Sequence, residues 1–184
     1  MDSYIDIKLT PDAEMRENVL LNSIVMKLHK VLVKFSSRSI GVSFPRTQLT
    51  LGRHLRLHGD QAALNDLQHI DWLGGMKGYC HVSNISSIPD NVQYRTVFEK
   101  RLNMKSSKLS RLIDRKSIDD DGIKRYKAKM FSQGLDNPFL ELVSSSNGNK
   151  YRKFIELGEL TDKPTYGQFD TFGLSKQATV PWFE

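Results

Sequence analysis

One cysteine in 184 residues, Cys80, can neither close an intramolecular disulfide nor anchor a thiolate metal site. Disulfide frameworks and zinc fingers are therefore excluded, and a reducing cytoplasm is the expected compartment. Nor does any stretch approach the roughly 20 uninterrupted apolar residues of a membrane span. Met1 leads into alternating charged residues instead of the apolar run of a signal peptide, so neither membrane insertion nor secretion is expected. Internal repeats and low-complexity tracts are also missing. Apolar residues make up 39% and charged residues 26%, a balance that suits a folded, soluble chain of one large or two small domains.

The net charge of +6 is not spread evenly. Residues 1–91 hold 10 basic and 9 acidic side chains, residues 95–130 hold 12 and 5, and residues 131–184 hold 5 and 7. A basic block confined to one third of the chain is the footprint of a polyanion partner, and nucleic acid is the commonest. Taken alone, the same block also reads as a solvated charged helix.

Ile5, Ile7 and Leu9 alternate with Asp6 and Lys8, the period of a half-buried strand. Pro11 is then read as opening a long amphipathic helix through Val19, Leu20, Ile24, Val25, Leu28, Val31, Leu32 and Phe35, ending near Ser36 and Ser37. Two alternating strands follow: Ile40 to Phe44, stopped by Pro45, and Leu51 to His58, with His54, Arg56 and His58 read as its polar face. Asp60 caps a short helix over 61–68, and a strand spans 79–83. The order β-α-β-β-α-β predicts a ferredoxin-like, RRM-like domain over residues 1–91, with the polar segment Asn84 to Asn91 (NISSIPDN) as its junction to a second domain, 92–184.

In that second part, Ser106 or Ser107 caps a helix whose Lys108, Arg111 and Arg115 fall at i, i+3 and i+7, joined by Lys105 and Lys116. Asp119 to Asp121 open another helix at its positive end. Asn147, Gly148 and Asn149 join two strand-like runs as a hairpin. The expected class is α+β, an N-terminal ferredoxin-like domain followed by a C-terminal α/β domain with a basic helix and a β-hairpin.

Several of these segments, in order from the first residue to the last, carry a resemblance. MDSYIDIKL, KLHKVL with His29, IGVSFP, LRLH, YRTV, the basic helix, FGLSK and VPWF resemble the type I-F CRISPR-associated repeat-processing endoribonucleases. Members of that family cleave precursor RNA beside a repeat stem-loop without metal and stay on the product as a subunit of a crRNA-guided complex. The resemblance implies a prokaryotic cytoplasmic enzyme, a monomer when free, that needs no cofactor and no metal. Its partners would be the repeat RNA stem-loop, in precursor and mature form, and the other subunits of the complex, with no membrane involved.

Residue by residue, His29 matches the family's catalytic histidine, and an imidazole with an ordinary pKa near 6.5 can take a proton at neutrality. Ser144 matches the serine that positions the ribose 2′-hydroxyl, and Ser146 a second serine nearby. Phe172 stands where well-known members have tyrosine, so it can support the histidine by packing but brings no hydroxyl. For RNA binding, Lys105, Lys108, Arg111, Arg115 and Lys116 match a helix that lies along the stem's major groove. Arg101 and Asn103 match base-reading residues, and Tyr151 matches an aromatic that stacks on the terminal base pair. Two other readings remain beside the endonuclease: a catalytically inactive hairpin-binding structural subunit, and a basic protein of the DNA major groove.

Overall fold

A computed structural model describes residues 1–101, 106–132, 137–144 and 147–183, with residues 106, 107, 131 and 132 described by backbone alone. The first sheet holds β1 (Ser3–Leu9), β2 (Gly41–Ser43), β3 (His54–Gly59), β4 (Cys80–Val82) and β5 (Ser86–Ser87). Its order is β2-β3-β1-β4, all antiparallel, with β5 also paired to β1. The second sheet is antiparallel too, in the order β7-β8-β6-β9, from β6 (Gln93–Glu99), β7 (Phe139–Val143), β8 (Lys150–Leu157) and β9 (Ser175–Trp182). The helices are α1 (Glu17–Lys34), α2 (Gln61–Gln68), α3 (Ser106–Asp114) and α4 (Asp120–Ser132). Among the described residues, no helix is long and apolar enough to cross a membrane.

The expected mixed α and β class is the observed one, and the local chemistry explains where most elements begin and end. Asp60 accepts the Ala63 amide at 2.7 Å and starts α2 at Gln61. Asp119 does the same for Gly122 ahead of α4. Gly148, at φ +69, turns the β7–β8 hairpin. The helix start at Pro11 is not observed. Asp12 accepts the Glu14 and Met15 amides in a local turn, so α1 begins only at Glu17. Its buried face is Leu20, Leu21, Ile24, Val25, Leu28 and Leu32, each worth roughly 1.5–3 kcal/mol of burial, while Val19 and Phe35 stay exposed. Buried residues of both sheets, from Ile5 and Leu57 to Leu140 and Val180, form one hydrophobic cluster.

Strand β3 departs most from expectation, because His54, Arg56 and His58 do not face solvent: all six of its residues are buried. Ile5 pairs with Leu57 and Asp6 with Arg56, so β1 and β3 put apolar side chains on one face and Tyr4, Asp6, Arg56 and His58 on the other. Phe183 covers this polar face. The Phe183 ring sits edge-on to Tyr4 and His58 and 3.9 Å from the Arg56 guanidinium carbon. Arg56 in turn donates to both Asp6 oxygens and to the Phe183 carbonyl.

His58 is fully buried, with Nε2 2.8 Å from Ser43 Oγ. Burial first, and the Arg56 charge second, push its pKa down to about 3, against a smaller opposing pull from Asp6. An unfolded chain takes up this proton near pH 6.5, whereas the folded protein does so only near 3. Stability is therefore lost as pH falls through that window, at up to about 1.4 kcal/mol per pH unit. Thermal midpoints should fall from pH 7 to pH 4, and His58→Gln should flatten the decline. Parallel declines in the two proteins would show that another group drives it.

Candidate active site and RNA-binding surface

His29 lies near the end of α1, half-buried, at the rim of the helix's apolar face. The loop between residues 169 and 174 meets it there. Asp170 accepts the amides of Phe172 and Leu174 at 2.8 and 2.9 Å, and its carbonyl takes the Gly173 amide. Gly173 makes this tight return at φ +72. Its carbonyl then receives the Val42 amide at 2.9 Å, fastening the loop to β2. Phe172 is thereby presented flat against the imidazole, with centroids 3.9 Å apart and planes 5° from parallel.

His29 Nδ1 lies 3.2 Å from the Thr171 carbonyl oxygen. A carbonyl only accepts, so Nδ1 carries the hydrogen, and in the neutral ring Nε2 is left as the basic lone pair. One nitrogen is spent on orientation and the other is available to take a proton.

On its other contacts Phe172 meets a charged pair absent from the sequence-level expectations. The Lys153 ammonium lies 4.5 Å from the Phe172 centroid and 2.5 Å from the Glu99 carboxylate, although the Lys153 residue is only 6% exposed. Burying an ammonium is costly unless it is paired, and Glu99 supplies the pairing. Glu99 also faces Tyr151, whose hydroxyl pKa is raised first by burial and then by that carboxylate. No sequence signal foretold the group, because its members lie on β6, β8 and a distant loop and meet only after both sheets form.

Ser144 follows β7 directly, its amide on the Asn149 carbonyl and its carbonyl on the Gly148 amide. Strand alternation places it on the face of Leu140 and Leu142, and the pairs Leu140 with Lys153 and Leu142 with Tyr151 share that face. β7 is fastened to α1 itself, since the Glu141 amide donates to Asn22 Oδ1 at 3.1 Å, two helical turns before His29. His29, Phe172, Lys153 and Glu99 are thus joined through contacts, and strand alternation puts Tyr151 and Ser144 on the same sheet face as Lys153. Ser146 lies outside the described residues.

Among the residues expected to bind RNA, Asn103 and Lys105 lie outside the described residues, and Arg101 is exposed just after β6. Lys108, Arg111, Arg115 and Lys116 are exposed. The row is shorter than the spacing implied: α3 ends at Asp114, and Lys116, at φ 52, turns the chain out of the helix as its amide bonds Ile113. Leu109 and Tyr126 are buried on α3 and α4 outside the main cluster, so the helix pair presents its cations away from the core.

This architecture can be set beside known proteins. The Cas_Csy4 family model, described as CRISPR-associated protein, matches residues 4–183. A protein of Escherichia coli strain UTI89 named CRISPR-associated endonuclease Cas6/Csy4 is 35% identical over 185 residues, covering all of both chains. Its namesake in Pseudomonas aeruginosa strain UCBPP-PA14 is 33% identical over 187 residues, again covering both chains fully. A solved structure described as CRISPR endoribonuclease Cse3 bound to 19 nt RNA aligns over 99% of this chain and 100% of its own, at 13% identity and a TM-score of 0.38. With a family match from the first strand to the last and relatives alike over their full length, the chain belongs to the Cas_Csy4 family of CRISPR-associated proteins.

Proposed function

We propose that this protein is an endoribonuclease that binds the stem-loop of a CRISPR repeat and cuts the precursor RNA at the 3′ base of the hairpin. The observation that carries this reading is the His29 imidazole, fixed through Nδ1 by the Thr171 carbonyl and stacked on Phe172 so that Nε2 is left to act as a base. RNA brings its own nucleophile. The ribose 2′-oxygen attacks the adjoining phosphorus while its proton passes to His29 Nε2. The bond to the 5′-oxygen breaks with its electron pair, and that oxygen takes a proton from water while His29 returns its own to solvent, giving a 2′,3′-cyclic phosphate and a 5′-hydroxyl. Ser144, with Ser146 beside it, orients the 2′-hydroxyl, and Tyr151 stacks on the last base pair of the stem.

Residues 1–91 carry the base in this reading, and residues 92–184 grip the RNA. Lys105, Lys108, Arg111, Arg115 and Lys116 neutralise phosphates along the stem, while Arg101 and Asn103 read base edges at its foot. After the cut the protein remains on the hairpin as a subunit of the crRNA-guided complex, and the reaction needs no metal. Phe172 favours one alternative, a subunit that binds the hairpin without cutting, because it lacks the hydroxyl of a tyrosine.

Incubation of the purified chain with labelled repeat RNA separates the two. Cleavage should proceed in excess EDTA and should stop when the scissile nucleotide alone is 2′-deoxy. Undiminished cutting of the deoxy substrate would overturn the internal-nucleophile mechanism, and no cutting of either RNA would leave the binding subunit.

A further inference from the structure

Behind the loop that holds Phe172 against His29 lies an open cleft of about 470 Å³, walled by Arg38, Phe98, Glu99, Arg101, Asp170 and Lys176. Its two carboxylates are already committed. Asp170 is tied to the amides of its own loop, and Glu99 holds Lys153. Its cations are not: among the described residues, neither Arg38 nor Arg101 has a carboxylate within ion-pair distance. Lys176 lies over the Phe98 ring, 5.6 Å from its centroid. Among the described residues, the cleft therefore sets three positive charges and an aromatic face against one carboxylate, Asp170, that no cation pairs, so its balance is positive. Its volume lies in the range of pockets that take drug-sized groups, room for part of a single strand.

The cleft is built on the loop that orients the base. Asp170 and Leu174, both in its wall, bracket Thr171 and Phe172, which touch His29. Phe169, also in the wall, donates its amide to the Arg38 carbonyl at 3.0 Å, so the Arg38 side is held to the loop as well. We infer that this cleft is a subsite for the sugar–phosphate backbone of a single-stranded RNA flank leaving the foot of the hairpin. Arg38 and Lys176 take its phosphates, and Phe98 offers a face for a base once Lys176 turns to the backbone. The inference rests on the endoribonuclease reading and adds to it a place for RNA outside the stem. Two flanks share this chemistry, the 5′ strand entering the hairpin and the 3′ strand beyond the cut.

The test is equilibrium binding of four RNAs, each 2′-deoxy at the scissile nucleotide: the bare hairpin, the hairpin with a 5′ flank, with a 3′ flank, and with both. One flank should tighten binding about tenfold, and which one does so identifies the strand. In the double variant Arg38→Gln/Lys176→Gln, that gain should vanish while the bare-hairpin Kd stays within twofold. For the flanked RNA, the slope of log K against log salt should fall by about 1.4, for two single-strand phosphate contacts. The charge-keeping pair Arg38→Lys/Lys176→Arg should retain the gain, which covers the case in which the glutamine pair fails to fold. If neither flank tightens binding, or if the glutamine pair weakens bare and flanked RNA equally, the subsite is wrong. Failure of the native protein to prefer the hairpin over a scrambled strand would instead remove the reading beneath it.

Discussion

His29→Ala should lower the cleavage rate by about 10²–10⁴-fold, the usual worth of a positioned general base, while hairpin affinity changes by no more than about threefold. The separation of the two effects follows from where the side chain sits. Its imidazole touches a carbonyl and a phenyl ring of one loop, and the exposed cations of α3 and its end stand on another element. Half-buried at the rim of α1, the ring contributes little to the core formed by Leu28 and Leu32 on either side of it. Folding should therefore survive, and single-turnover kinetics beside a binding isotherm will read chemistry and affinity apart. Equal loss of both would make His29 a structural residue, and full retention of cleavage would place the base elsewhere.

The parts of the fold legible in the sequence are those set by near neighbours. Period-2 alternation marks β1, and an aspartate before an apolar run marks α2 to the residue. The Asn-Gly-Asn turn marks the β7–β8 hairpin. Arg56 and His58 show why the rest was hidden. Alternation says that a side chain faces away from one layer but cannot say whether a second cover exists, and here the cover is Phe183, 127 positions beyond Arg56. The same holds at the candidate site. His29 was reached through resemblance alone, since the Thr171 carbonyl that orients it lies 142 positions away and belongs to no motif chemistry. Nothing near Lys153 in the sequence marks it as buried. Only closure of both sheets buries it between Glu99 and Phe172.

Arg56→Met should be the most destabilising single change on the buried polar face, costing about 3–5 kcal/mol. Asp6 shows why. Burial works to raise its carboxyl pKa, yet the contacts of His54 and Arg56 outweigh that and hold it well below the ordinary carboxylate range. Two of those contacts are the paired bonds from Arg56 Nε and Nη2, at 2.6 and 3.0 Å. Methionine fills much of the space but leaves the Asp6 charge with His54 alone, 2.8 Å away, and leaves the Phe183 carbonyl without its guanidinium donor. The thermal midpoint should drop by about 10 °C at pH 7, by the usual scaling for a chain of this size. The deficit should shrink as pH falls, because the stranded Asp6 carboxylate can then take a proton that the native pair refuses. Removing that charge as well, in Arg56→Met/Asp6→Asn, should recover a large part of the loss, since deleting both partners costs less than orphaning one. A single-variant midpoint within about 2 °C of the native protein would mean that the ion pair is decorative. A double variant no better than the single would place the cost in the Tyr4 and Phe183 ring contacts. The recovered double is the result to expect, because the guanidinium is what lets a carboxylate, two aromatic rings and the Phe183 carbonyl share one covered face of the first sheet.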